Sequence, residues 1–375
     1  MLAVPLFVLM GEVLFHSGVS WIISDSLDLW IGRIPGRLSL LAIALGTLFA
    51  ALSGSGIATT AMLGSILIPE MRRKGYSKSM CAGPVLGGGS LAIVMPPTFI
   101  GVILATLAEV SVGGLLVAVV VPCLLVSALY STYIVITAIM HPDWAPRYEI
   151  TDVSWFERMK ALRYIAPLGI IIFFVVGSIF TGLATPTEAA ALGAMSTCIL
   201  VACYRRLEWN IVSKALRATA SISSTVFMII IGSQAFSQLL AYTGATKGLI
   251  TFAMQAHVSP LVLLALMQLA IFVMGTFMDQ VSVMMISIPM FKPVVSALGF
   301  DVMWFCVMTL VNLALGGITP PFGLFLFALK SVSPEDFSMG DIIRATVPYF
   351  LLGLIAIFIL LIFPKIALWP LKWMT

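Results

Sequence analysis

Charge is what this chain has least of. Only 10% of its 375 residues are Asp, Glu, Lys or Arg, against 61% hydrophobic. Soluble domains carry about 25% charge, so an ordinary water-facing surface is excluded, and a mean hydropathy of +1.12 points to a chain solvated by lipid. Its basic residues are scattered over loops with no basic tail, which excludes a nucleic-acid partner. Cysteine is sparse: Cys81, Cys123, Cys198, Cys203 and Cys306 show no CxxC spacing, and four lie in apolar stretches as small buried hydrophobes. The histidines His16, His141 and His257 are too far apart for a metal motif, and no His pair or Ser–His combination sits inside an apolar run, which speaks against an embedded enzyme. The start lacks a basic region: Leu2 to Leu14 is apolar but contains Glu12, and reads as a transmembrane helix and not a cleaved signal.

What is abundant is apolar sequence in recurring runs. Runs of about 20 residues suit membrane-crossing helices, whereas a β-barrel needs short alternating segments. The expectation is an all-α polytopic membrane protein, one transmembrane unit over residues 1–375. Ser20 to Arg37 mixes Trp21 and Trp30 with Asp25, Asp28 and Arg33, as an interfacial amphipathic helix does. Thr185-Pro186-Thr187-Glu188 has the grammar of a helix start, with Thr185 as N-cap and Glu188 closing a capping box.

Two interruptions stand out. Leu38–Leu52 and Ile57–Pro69 are short apolar arms around Ser53-Gly54-Ser55-Gly56; Leu261–Met278 and Val281–Met290 flank Asp279. Both describe re-entrant hairpins, over 38–70 and 261–291. Each is followed by an apolar stretch interrupted both by glycines and by a double proline: by Gly87–Ser90 and Pro96-Pro97 in 80–112, and by Gly316-Gly317 and Pro320-Pro321 in 301–330. Proline lacks an N–H and clashes with the carbonyl four residues back. The expected result is two broken helices, with carbonyls of Ala92 and Ile93 and of Gly316 and Gly317 released. Irregular backbone at membrane depth is tolerated only where protein buries it or where it lines a site.

Free carbonyls with hydroxyls form a hard oxygen cage that suits Na⁺ as a coupling ion, with no other cofactor expected. The expected ion ligands are Ser53, Gly54, Ser55, Ala92 and Pro96 in one half, and Asp279, Gly316, Gly317, Thr319, Pro320 and Gly323 in the other. Helix N-termini just after each tip carry partial positive charge that would meet a substrate carboxylate, with Ser55, Ser90, Thr98 and Ser282 nearby. Ser55 and Asp279 also suit plain N-caps. An intramembrane acid such as Asp279 is a functional candidate by default, while Glu12, near a helix end, is open to either reading.

The double prolines are offset by 320 − 96 = 224, and the same offset maps Ser55 onto Asp279 and Gly75 onto Gly299. This predicts a repeat of about 1–140 and about 164–375 around a loop at 141–163, as in transporter folds. The second copy has two segments before Gly232 with no counterpart before Gly11, so an N-terminal segment is expected to be missing. Basic residues assign orientation: sixteen, including Arg72, Arg73, Lys74, Arg147, Arg158 and Lys330, fall on one side, and Lys247, Lys292, Lys365 and Lys372 on the other. The hairpins then enter from opposite faces, making the repeat inverted.

Leu2–Gly18, SGSG followed by LGSILIPEMRRKGYS, Pro96-Pro97-Thr98, TPTEAAA, FMDQVSV and ITPPFGLFLF together resemble the large membrane subunit of tripartite ATP-independent periplasmic (TRAP) transporters. The resemblance spans essentially the whole chain. It implies a sodium-coupled importer of organic acids such as dicarboxylates, working by an elevator movement in a bacterial inner membrane. It also implies two partners, a small four-helix membrane subunit and a periplasmic substrate-binding protein. Family members often carry an acid at the position of Thr59 and an Asn at that of Phe325, so these two positions bear on the substrate.

Overall fold

The computed structural model of the chain describes residues 2–31, 34–146, 155–255 and 258–373. Arg33, Arg147 and His257 lie outside them, and the side chains of Trp21, Asp25, Ser53 and Arg158 are likewise not described. All regular structure among the described residues is helical. Among the described residues seven helices are long and apolar enough to cross a membrane, or up to nine spans if each of two bent pairs is one crossing.

The chain opens with α1 (Ala3–Ser17), stopped by Gly18 at φ +67°, and α2 (Val19–Ile31). The next four are α3 (Arg37–Ser53), α4 (Gly56–Arg73), α5 (Lys78–Val94) and α6 (Phe99–Leu107). Short α7 (Val112–Ala118) runs through Val119 into α8 (Val120–Met140). Then come α9 (Trp155–Phe180), α10 (Pro186–Cys203), α11 (Trp209–Tyr242) and α12 (Ala245–Gln255). The last part holds α13 (Pro260–Phe277), α14 (Gln280–Ala297), α15 (Val302–Gly317), α16 (Leu324–Val332), α17 (Met339–Ile362) and α18 (Lys365–Leu368).

Two helices form the core. Every residue from Met80 to Val94 in α5 and from Trp304 to Gly317 in α15 is buried. A helix apolar on all sides belongs inside its protein, and small residues let neighbouring backbones approach. A methyl group on Gly46 would lie 2.4 Å from Gly88 Cα, so α3 crosses α5 with backbones touching. Gly316 meets Gly275 in the same way, at 2.9 Å, where α15 crosses α13. Around this core, α9, α11, α13 and α17 present Phe173, Phe174, Met228, Leu266 and Phe358 outward, a lipid-facing rim.

Several boundaries differ from the sequence expectation. Gly87-Gly88-Gly89 does not interrupt α5, which runs helical to Val94; the glycines are contact points against Tyr349, Ala42 and Thr60. Likewise α14 passes Pro289 and Pro293 and ends at Ala297, not Met290. Helix α11 starts at Trp209, well before its most apolar stretch, because nothing between them breaks a helix. At 1.5 Å per residue its 34 residues outreach a hydrocarbon core about 30 Å thick. The capping box forms as expected: Thr185 N–H donates to Glu188 Oε2 at 2.8 Å, and Glu188 N–H to Thr185 Oγ1 at 3.3 Å.

The loops gather at two ends. At one, Arg72 pairs with Asp336 at 2.9 Å and Lys78 with Asp341 at 2.8 Å, while Ser77 N–H donates to Trp144 C=O. Elsewhere Lys292 pairs with Glu109, tying the end of α14 to the turn after α6.

Candidate functional site

The first tip is a two-residue turn. Gly54 adopts φ +58°, open to glycine without strain, and a methyl there would lie 2.8 Å from Phe99 Cδ1. The tip is therefore seated on the first residue of α6, just past Pro96-Pro97. Ser55 is the N-cap of α4 and its Oγ accepts from Ala58 N at 3.3 Å. Gly54, Gly56, Thr59 and Thr60 are all buried.

The first break lies in Met95–Thr98, where α5 and α6 bend by 45°. Met95 N–H donates to Leu91 C=O at 2.9 Å, the last helical bond before the prolines. Ala92 and Ile93 face Pro96 and Pro97 four residues on, which have no N–H to give. Ser90 Oγ donates back to Gly87 C=O at 2.8 Å, so this expected substrate ligand is spent on its own helix. Thr98 Oγ1 and Thr60 Oγ1 are buried hydroxyls with no hydrogen-bond partner.

The second tip is built on an acid. Asp279 caps α14, its Oδ2 accepting from Val281 N at 3.0 Å and Ser282 N at 3.1 Å, and Ser282 Oγ donates to Oδ1. Both Ser55 and Asp279 are thus N-caps, the plainer of the two sequence readings; an Asp cap keeps lone pairs for a cation, whereas a single Ser oxygen has fewer. Unlike the first tip, Asp279 is exposed.

The second break spans Ile318–Gly323. Phe322 N–H donates to Thr276 C=O at 3.1 Å, docking the break on the end of α13 beside the tip. The carbonyls of Thr319 and Gly317 approach Gly323 so closely that a methyl there would lie 2.7 and 3.0 Å from them. Pro320 follows the crowd of carbonyls and is exposed with Pro321. One expectation fails: Gly316 C=O is not released, because Thr319 N–H bends back to it at 3.2 Å in a tighter turn. Thr319 Oγ1 itself donates to Leu315 C=O at 2.7 Å.

The two halves meet at Phe325. Its side chain is fully buried; a methyl on Gly56 would lie 2.1 Å from Phe325 Cζ, and one on Gly317 2.9 Å from it. The same Gly317 methyl would sit 3.1 Å from Gln280 Nε2, a buried amide nitrogen with no partner. The ring closes the α4 N-terminus and Asp279 closes that of α14, so neither helix start is the open anion site expected from sequence. Gln280 was not among the expected site residues, although its place beside Asp279 was a visible signal. Also unforeseen is a buried amide network: Asn312 Nδ2 donates to Gln268 Oε1 at 2.9 Å, and Gln268 Nε2 to Thr309 Oγ1 at 3.2 Å. It borders an apolar groove of about 630 Å³ between α13, α15 and α17. Pro96 borders another, about 640 Å³, with Met95, Phe173 and Trp369. Glu12 pairs with His16 at 3.3 Å, one turn away on α1. Among the described residues no group of three or more His, Cys, Asp or Glu side chains could hold a metal ion.

Comparison with known proteins places this architecture. The chain is 31% identical over 377 aligned positions to the C4-dicarboxylate TRAP transporter large permease protein DctM of Pseudomonas aeruginosa, covering 100% of this chain and 86% of that one. It is 28% identical to the ectoine TRAP transporter large permease protein TeaC of Halomonas elongata, over 98% of this chain and 85% of that one. Among solved structures, the Alcanivorax borkumensis YdaH transporter shares the fold, with a TM-score of 0.70 and 16% identity over 98% of this chain and 86% of the other. Residues 1–366 match the DctM component of the tripartite ATP-independent periplasmic transporters; with that match and the whole-length likeness to DctM, this chain belongs to the large-permease family of those transporters, whose members are membrane transport subunits and not enzymes.

Proposed function

We propose that this chain is the permease subunit of a sodium-coupled, binding-protein-dependent importer of organic acids in a bacterial inner membrane. Its partners are then a small four-helix membrane subunit and a periplasmic binding protein. The observation that carries the reading is that each hairpin tip lies against its own broken helix, Gly54 on Phe99 and Gln280 on Gly317, with both halves meeting at Phe325. The Na⁺ ions sit at the tips, one among Ser53, Gly54, Ser55 and the Ala92–Pro96 backbone. The other lies among Asp279, Gly317, Thr319 and Gly323, where an exposed carboxylate stands beside crowded carbonyls. Oxygen ligands of this kind suit a hard monovalent cation, as they do hard divalent ones.

The element order supports a repeat: α1 to α6 with α8, and α11 to α16 with α17, each contain a leading helix, a shorter helix, a hairpin and a broken helix. An elevator movement would carry hairpins and broken helices together across the membrane while α1, α2, α9, α10, α11 and α12 stay as scaffold. The tests are direct. In proteoliposomes holding both membrane subunits and the binding protein, an inward Na⁺ gradient drives uptake of an organic acid. Uptake unchanged when K⁺ replaces Na⁺ rules out the coupling. Uptake without the binding protein favours a stand-alone permease instead.

A further inference from the structure

Away from the tips, basic side chains fall into two groups. Arg37, Arg72, Arg73, Lys78 and Lys292 each pair with an acid. Lys160, Arg163, Arg205, Arg206, Lys214 and Arg217 are all exposed, and among the described residues none of them forms an ion pair. The second group gathers where α9 begins, α10 ends and α11 begins. Tyr204 Oη donates to Tyr164 C=O at 3.0 Å, and the two rings stack with centroids 6.1 Å apart. That contact brings Arg163, whose Cζ lies 5.1 Å from the centre of the Tyr164 ring, to the Arg205-Arg206 corner. Arg205 turns the corner at φ +54°. Lys214 and Arg217 follow about 8 and 12 Å along α11 from Trp209, in its charged first turns. Between residues 160 and 217 the acids are Glu188, held in the capping box at the far end of α10, and Glu208.

Unpaired charge of one sign calls for a counter-charge from outside the chain, and three features say what supplies it. Guanidinium groups are planar forks that match phosphate oxygens. Phe156, Leu207, Trp209 and Leu216 are exposed on the same segments, Trp209 by 80%, and an indole at the end of an apolar span marks headgroup depth. The patch also closes one end of three helices long and apolar enough to cross a membrane, Met159–Phe180, Pro186–Cys203 and Trp209–Tyr242. A free anion would meet the charge and leave the apolar side chains in water; a lipid headgroup with its acyl chains meets both. We infer that Arg163, Arg205 and Arg206 bind the phosphate of an anionic phospholipid, with Trp209 seated among the headgroups and Lys214 and Arg217 holding neighbouring ones. Basic pockets between helices at a membrane surface recruit such lipids. The lipid then fixes the depth of α9, α10 and α11, which belong to the scaffold of the movement proposed above.

The full chain, purified in a neutral detergent, is heated with phosphatidylglycerol, phosphatidylcholine or inorganic phosphate, and its unfolding temperature is read. Phosphatidylglycerol is expected to stabilise at concentrations at least about tenfold below those phosphatidylcholine needs, an advantage lost in about 1 M NaCl. Combining Arg163→Gln, Arg205→Gln and Arg206→Gln removes the advantage. Combining Lys247→Gln, Lys365→Gln and Lys372→Gln, an equal loss of charge elsewhere, keeps it. The three arginines are exposed and unpaired, so the unfolding temperature of their variant in phosphatidylcholine stays at the wild-type value. If it falls, Arg206→Gln alone serves, with the advantage cut about fivefold, the effect of one basic residue at an anionic surface. Equal stabilisation by the two lipids, an advantage kept in the arginine variants or lost equally in the lysine variant, or the whole shift reproduced by inorganic phosphate overturns the assignment.

Discussion

The two tips use the same device in opposite surroundings. The first is neutral, capped by Ser55, and buried under Phe99 and Phe325; the second is acidic, capped by Asp279, and exposed. Backbone dipoles alone can be closed off by an aromatic ring, because no full charge is left in the dark. A carboxylate cannot be buried so cheaply without a partner, and it stays at the surface with Val281 and Ser282 N–H groups on it. The helix crossings beneath the tips contrast too. Gly46 on Gly88 brings α3 and α5 together by removing side chains, while α13 and α15 add the Gln268–Asn312–Thr309 network to the Gly275–Gly316 contact.

The sharpest way to break the comparison is to remove the charge from one tip only. Asp279→Ala is expected to abolish sodium-driven uptake while the protein still inserts in the membrane; full uptake in proteoliposomes would refute its role. Ser55→Ala, the matching change at the neutral tip, should leave uptake measurable and raise the Na⁺ concentration for half-maximal rate. Thr319→Ala is expected to do the same more weakly, and an unchanged sodium dependence in both would count against the cages.

At the crossings, Gly46→Ala forces a methyl into Gly88 backbone 2.4 Å away, and overpacking of this kind costs about 1–3 kcal/mol. Gly177→Ala meets nothing within 4 Å and should instead gain about 0.5–1 kcal/mol of helix stability. Thermal unfolding of the two variants in detergent gives opposite shifts if the contact is real. Asn312→Leu should cost less, about 0.5–2 kcal/mol, the range for hydrogen bonds between membrane helices; no loss in the same assay would show the network to be incidental. The smallest effect belongs to Arg72→Ala. Its pair with Asp336 is 39% exposed on one side and 46% on the other, and pairs of this type contribute about 0–1 kcal/mol. A larger loss of unfolding temperature would mean that the loop junction holds the halves together.

Much of this was legible beforehand because lipid imposes a narrow menu. Apolar runs marked the spans, Pro96-Pro97 and Pro320-Pro321 marked the breaks, and the Thr185–Glu188 capping box formed where its spelling put it. The glycine run at 87–89 misled, since glycine can mean a flexible break or a close contact, and only the neighbours Ala42, Thr60 and Tyr349 decide between them. The release of Gly316 C=O also failed, because a chain turning at a proline is free to tighten and reuse the carbonyl. The inward turn of Gln280 is not legible beside Asp279, as nothing in a linear string tells which of two adjacent polar residues turns inward.

By itself, then, the sequence determined a helical membrane protein with two capped tips and two proline breaks, because those features follow from local rules: backbone must be hydrogen-bonded in lipid, proline cannot donate, and Ser or Asp caps the helix that follows. Only the tertiary structure decided that Phe325 closes one tip while the other stays open, and that Gln280 faces the junction. Those outcomes depend on which helices share a face across more than two hundred residues of chain, and that is settled by packing, not by neighbours in sequence.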